Sequence, residues 1–204
     1  MHGQVKHNSK TRSTRCKLGL VLIALTLLFA IVPHRPAMAQ NKNAIKLKTA
    51  FIYKFTRFIR WPQAALRGQK NFVITVYGKG TLGRFLSLLQ KRKAQGLPIK
   101  VHRITDWRKY QPSHIVVVPR GNARKMHINA IKKLRKRPVL VVVEGKGLAR
   151  AGAHINFFFD ANTGTIGFEL NIDAMKRSRL GVPAALLRVA DVVREKPQPN
   201  AQPK

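Results

Sequence analysis

The stretch Asn71–Lys93, NFVITVYGKGTLGRFLSLLQKRK, decides the class of fold. Phe72–Tyr77 is a β-branched and aromatic run of strand length. Gly78-Lys79-Gly80 breaks it, and from Thr81 apolar residues recur at helical spacing. A strand, a glycine turn and a helix in immediate succession open an α/β unit.

Outward from that unit the alternation continues. LPIKVHRI (97–104), SHIVVVP (113–119) and PVLVVVEG (138–145) read as strands, with a basic helix over 122–136 between the last two. AHINFFFD and GTIGFELN flank Ala161-Asn162-Thr163-Gly164, a turn signal that makes them a hairpin. DAMKRSRLG is a short helix stopped by Gly181. Pro183 suits the first turn of a last helix running to about Val193. The central strands are apolar on both faces, so the expected fold is α/β: a single three-layer domain with a largely parallel sheet, helices on both faces and a C-terminal antiparallel hairpin.

The chain has 204 residues, 40 Lys+Arg against 7 Asp+Glu, and a formal net charge of +33. Charge alone would suggest nucleic acid. The first residues argue otherwise. A basic segment is followed by an uncharged run, Leu18–Val32, and by Ala37-Met38-Ala39, a small-x-small site. This is the pattern of a secretory leader cleaved after Ala39, and the apolar run is shorter than the ~20 residues a spanning helix needs. The expected boundaries are a leader over 1–39, one domain over 40–193 and a disordered tail over 194–204, with the mature chain in the periplasm. Removing the six cations of the leader leaves 34 basic residues against all seven acids. An exported chain of this charge is expected to meet anionic membrane surfaces or acidic protein partners, not nucleic acid. The single cysteine, Cys16, lies in the leader, so the core holds the domain without disulfides.

Gly78-Lys79-Gly80-Thr81-Leu82-Gly83 has the spacing of a dinucleotide fingerprint, after a strand and before a helix. An ordinary tight turn is the stronger reading, because the domain opens on a helix and an exported protein lacks a ready nicotinamide supply. An anion site at Lys79, Gly80, Thr81 and Arg84 is the weaker alternative. No cofactor is expected. His102, His114, His127 and His154 stand at no ligand spacing, so no metal site is expected and structural histidines are. There is no G-x-S-x-G and no mature cysteine nucleophile, so no catalytic residue is assigned.

Residues 43–60 place Phe51, Phe55 and Phe58 on an apolar helical face, each worth ~1.5–3 kcal/mol when buried. Lys46, Lys54, Arg57 and Arg60 fall on the opposite face, and Lys48 is the exception. Trp61-Pro62 ends the helix. Tyr53 and Trp61 leave the apolar stripe and are expected among the cations. With Arg57 and Arg60 they are candidate partner anchors, against the alternative of covering the sheet edge. Glu169 is a further candidate, since alternation sets Ile166, Phe168 and Leu170 on the other face; its alternative is a local salt bridge. The basic helix 122–136 is either a solvated back or an electrostatic patch.

KTAFIYKFTRFIRWP, the strand into YGKG, PSHIVVVP and the closing GAHINFFF…GTIGFELNIDAMKRSRLGVPAALLRVADVV resemble the YfiR-like family of periplasmic proteins over residues 43–193. The resemblance implies a non-enzymatic regulator that binds the periplasmic sensing domain of an inner-membrane diguanylate cyclase, or of another membrane sensor such as a sensor kinase, and represses it. Release would raise cyclic-di-GMP. Ser113 stands where the family often has cysteine, and Val182-Pro183-Ala184-Ala185 replaces a serine-containing segment. The competing reading is a periplasmic small-ligand or anion-binding module using the Gly78–Gly83 loop. A homodimer is left open.

Overall fold

A computed structural model describes residues 37–195, with side chains from Lys42 onward. The expected leader falls almost wholly outside the described residues, as do positions 196–204 of the expected tail. Helix α1 spans Ala37–Phe58 and a short α2 spans Gln63–Leu66. Strand β1 (Phe72–Tyr77) leads into α3 (Thr81–Ser87) and a 3-10 turn, Leu88–Lys91. Then follow β2 (Lys93–Ala94), β3 (Leu97–Ile104), β4 (Ile115–Val118), α4 (Arg124–Leu134) and β5 (Leu140–Val143). The chain continues through β6 (Ile155–Asp160), β7 (Thr165–Asn171), α5 (Ile172–Arg177), α6 (Ala184–Leu187) and β8 (Asp191–Val193).

These strands form one eight-stranded sheet, ordered β2-β3-β1-β4-β5-β6-β7-β8. All neighbours are parallel except β2 with β3 and the hairpin β6 with β7. The α/β sheet and its C-terminal hairpin are thus as the alternation of elements implied. Period two sorts the central strands. Ile115, Val117, Leu140 and Val142 enter one core with α1 and α3, while Val116, Val118, Val141 and Val143 enter the other with Ala130, Ile131 and Leu134 of α4. Both faces are covered, which is why β4 and β5 are buried at every residue.

The α1 stripe is narrower than the aromatic spacing suggested. Its buried line runs Lys48, Ile52, Phe55 and on to Ile59 just past the helix end, positions related by three- and four-residue steps. Phe51 packs at the margin of the core, and Phe58 is 52% exposed, which corrects its expected burial. Lys48, the charged exception, sits on the buried line because its ammonium meets Glu144 just past β5. Trp61 is a second correction. The helix ends at Phe58, so helical spacing does not govern Trp61; the chain turns onto β1, and the indole packs edge-on against Phe72 at 5.1 Å.

The expected helix from Pro183 to Val193 is instead one helical turn, α6, followed by β8. The β-branched Val192 and Val193 pair in parallel with Leu170 and Asn171, closing the edge that the hairpin leaves open. Arg194 and Glu195, expected to open the disordered tail, are held. Glu195 accepts from Arg135 at 2.9 and 3.1 Å and from Arg177 at 2.6 and 2.9 Å, and its N–H donates to Asp173. Paired forks of this kind are the strong form of the charged hydrogen bond.

Candidate functional site

Parallel strands deliver their carboxyl ends to one edge of the sheet, and there the loops can form a crevice. β1 leads into Gly78-Lys79-Gly80, β4 into Pro119–Asn122, and β5 into Glu144–Gly147. The strand order reverses between β1 and β4, because β1 has β3 on its other side. A ligand crevice belongs at such a switch point.

In this chain the switch point is plugged. Asn122 Oδ1 accepts the Lys79 N–H at 2.9 Å, and its Nδ2 donates to the Lys79 and Pro119 carbonyls, each at 2.9 Å. Gly78 has a φ of +114°, and a Cβ there would stand 2.4 Å from Asn122 Oδ1. The glycine turn is therefore spent on receiving the Asn122 amide. Of the four anion candidates, Lys79, Gly80 and Arg84 are exposed and Thr81 is half-buried, and the Lys79 amide is already committed.

Open space lies further along the same edge. A crevice of about 530 Å³ is lined by Arg120, Glu144, Lys146, Asn156, Phe158, Phe159 and Glu169. Asn156 on β6 and Glu169 on β7 are register partners. The Asn156 amide donates to Glu169 Oε2 at 2.7 Å, while its Oδ1 accepts the Gly145 N–H at 3.0 Å. Among the described residues Glu169 makes no ion pair, so the local salt bridge expected as its alternative is replaced by an amide contact. Phe158 lies over Gly167, where a Cβ would be 2.5 Å from its ring, and Phe159 is 49% exposed. The walls combine two half-buried carboxylates, of which Glu144 is paired with Lys48, two exposed cations and an exposed ring.

A second crevice, of about 520 Å³, gathers Tyr53 and Arg57 of α1 with Lys91, Arg92, Lys93 and Gln95. Gln95 adopts a φ of +50° and caps α1, donating to the Thr56 carbonyl at 2.8 Å. Arg60 stands apart: its side chain is exposed, and its backbone bridges to Gly181 at 2.9 and 2.8 Å. The five partner candidates are thus divided. Tyr53 and Arg57 share one crevice, Glu169 lines the other, Arg60 sits on the Gly181 bridge and Trp61 is core. Sequence reasoning missed Asn156 and Phe159, whose pairing with β7 depends on hairpin register, and Lys91–Lys93, whose run of charge was visible while its apposition to α1 was not.

His114 and His154 are framework groups. His114 stacks on Phe72 at 4.5 Å, accepts the Val73 N–H at Nδ1 (2.9 Å) and donates from Nε2 to the Ala65 carbonyl (3.2 Å). His154 accepts the Val141 N–H at 3.0 Å and donates to Ser178 Oγ at 2.8 Å. Burial, reinforced by Arg177, pushes His154 down to about 3, and burial also lowers His114 and His127. Both nitrogens of His114 and of His154 are occupied, and among the described residues no three potential ligands gather to hold a metal. Ser113 is likewise committed, meeting Thr75 Oγ1 at 2.6 Å and donating to the Gln111 carbonyl at 2.7 Å.

Among the described residues no helix is long and apolar enough to cross a membrane. No curated protein matches the chain. A family model described as YfiR/HmsC-like matches residues 45–191, from the middle of α1 to the first residue of β8. That match covers both crevices and strands β1 to β7, and the chain belongs to the YfiR/HmsC-like family.

Proposed function

We propose that the protein is an exported, non-enzymatic regulator in cyclic-di-GMP signalling. In this reading it binds the periplasmic sensing domain of an inner-membrane signalling protein of the diguanylate cyclase type and holds it inactive. The observation that carries the reading is the family match over residues 45–191. The leader-like N-terminus and the absence of any cysteine beyond Cys16 fit a periplasmic protein held by its core alone.

The partner contact is assigned to the crevice of Glu169. A carboxylate oriented by Asn156 and flanked by Arg120 and Lys146 offers directional charge, and Phe159 offers exposed aromatic area beside it. Interfaces draw their affinity from aromatic and arginine anchors of this kind. The anion-binding reading of the Gly78–Gly83 loop has weaker support, because Asn122 already fills the turn.

Deleting the gene should raise cellular cyclic-di-GMP, and the wild-type chain should restore it. A Glu169→Lys, Phe159→Ala chain, exported and folded to wild-type level, should fail to restore it. Unchanged cyclic-di-GMP on deletion would overturn the regulator reading, and full restoration by the double variant would move the contact elsewhere.

A further inference from the structure

The crevice between α1 and the Lys91–Gly96 segment is not explained by the partner contact at Glu169. Arg57, Lys91, Arg92 and Lys93 line it and are all exposed. Among the described residues, none of the ion pairs includes any of the four. Four of the seven acids are engaged elsewhere in ion pairs: Glu144 with Lys48, Asp106 with Arg108, Asp173 with Arg194, and Glu195 with Arg135 and Arg177.

A local structural use for the cations can be tested on the geometry. Positive side chains often serve the carbonyls at a helix C-terminus. Here Gln95 fills that role, with its amide 2.8 Å from the Thr56 carbonyl and 3.4 Å from that of Ile59. The cations are therefore left to solvent, and among the described residues no carboxylate pairs with them.

An exposed apolar side chain stands beside them. Leu88 is 66% exposed and opens the 3-10 turn Leu88–Lys91, in which residues three apart share a side, so it lies on the side of Lys91. Phe58 is also exposed, but it points about 100° around α1 from Arg57 and does not line the crevice. Cations with a neighbouring exposed apolar group match the layered chemistry of a bilayer surface, phosphates outside and acyl chains beneath. A soluble acidic protein would match the charge and leave Leu88 without a role.

We infer that this face docks on the phosphate headgroups of an anionic bilayer, with Arg57, Lys91, Arg92 and Lys93 on the phosphates and Leu88 entering the headgroup layer. Tyr53, half-buried in the crevice wall, places a phenol among the same phosphates. The inference stands on charge and exposure and does not depend on the regulator reading. Held on the membrane in this way, the chain would search for a membrane target in two dimensions.

The test is vesicle co-sedimentation of the mature chain, with phosphatidylglycerol–phosphatidylethanolamine vesicles against phosphatidylcholine. The variant Lys91→Gln, Arg92→Gln, Lys93→Gln removes three charges from the crevice, and Lys132→Gln, Lys133→Gln, Lys136→Gln removes three from the α4 region. A surface cation contributes about fivefold, so the crevice variant should bind about a hundredfold more weakly. The α4 control should lose less than about tenfold. Leu88→Ser should weaken binding a fewfold and leave the salt dependence unchanged, since no charge is altered. Melting midpoints confirm that each variant is folded. Equal losses in the two triple variants would reduce the binding to diffuse charge and overturn the site. Absent vesicle binding, together with a melting shift on inorganic pyrophosphate that the crevice variant loses, would assign the crevice to a soluble phosphate and overturn the bilayer. Unchanged vesicle binding alongside lost capture by the membrane partner's sensing domain would assign it to a protein.

Discussion

Lowering the pH from 7 to 5 should destabilise the domain chiefly through His154. This imidazole is fully buried, and both nitrogens are committed in the neutral form. Nδ1 accepts from Val141, Nε2 donates to Ser178, and Ser178 in turn donates to the Arg135 carbonyl at 3.2 Å. A second proton would need the lone pair that holds Val141 and would place a cation near Arg177. The folded group is accordingly held at about 3, against about 6.5 in an unfolded chain. For a base lowered in this way, the unfolded state binds the extra proton first. The stabilisation is complete above the unfolded value and is lost as the pH falls below about 6.5. At pH 5 the unfolded histidine is about 1.5 pH units into its protonated range, so His154 alone removes about 2 kcal/mol. His114 and His127 are lowered in the same direction and add to the loss. Asp106 and Asp160 are held below their ordinary values and act only at lower pH. Urea unfolding between pH 7.5 and 5 reads the slope directly. His154→Gln should be less stable at neutral pH yet show a shallower slope. The reasoning is refuted if His154 in the folded protein titrates near 6.5 by NMR, or if the variant keeps the wild-type slope.

Trp61→Ala should cost about 3–5 kcal/mol in urea unfolding, because it vacates the space against Phe72, whereas Phe58→Ser should stay within about 0.5 kcal/mol. Gly78→Ala should lower the melting midpoint by several degrees, since alanine is strained at that φ and its Cβ would overlap the Asn122 amide; the midpoint is read by circular dichroism. Melting of a chain beginning at Gln40 should not respond to dithiothreitol, because no cysteine follows Cys16.

The sheet was legible because strands buried on both faces announce themselves as unbroken runs. Ile115–Val118 and Leu140–Val143 admit no other reading, and Thr81 marked the start of α3 once glycine had ended β1. The C-terminal element was not legible in the same way. Ala184–Leu187 and Val192–Val193 have compatible helical spacing, and only the open edge of β7 makes the valines a strand. On α1, aromatic size drew attention to Phe58, while the buried line passed through Lys48, a position a charge can hold only with a counter-ion brought from 96 residues away. The two crevices were half legible for the same reason. Glu169 was conspicuous as an acid among cations, but sheet order alone brings Asn156 to it and Arg120 into the same crevice. Tyr53 and Arg57 lay in a marked stretch, and their companions arrived from a separate turn.

The double fork on Glu195 also orders events in time. A chain made from its N-terminus produces Arg135 first, then Arg177, and supplies their shared carboxylate last, 60 and 18 residues later respectively. Until position 195 joins them, Arg135 and Arg177 share only the bond from the Arg177 Nε to the Arg135 carbonyl at 3.2 Å, and their two like charges lack a counter-ion. Glu195 is thus a late latch: it fastens the end of β8 to Arg135 and Arg177 and neutralises two cations that would otherwise stand side by side.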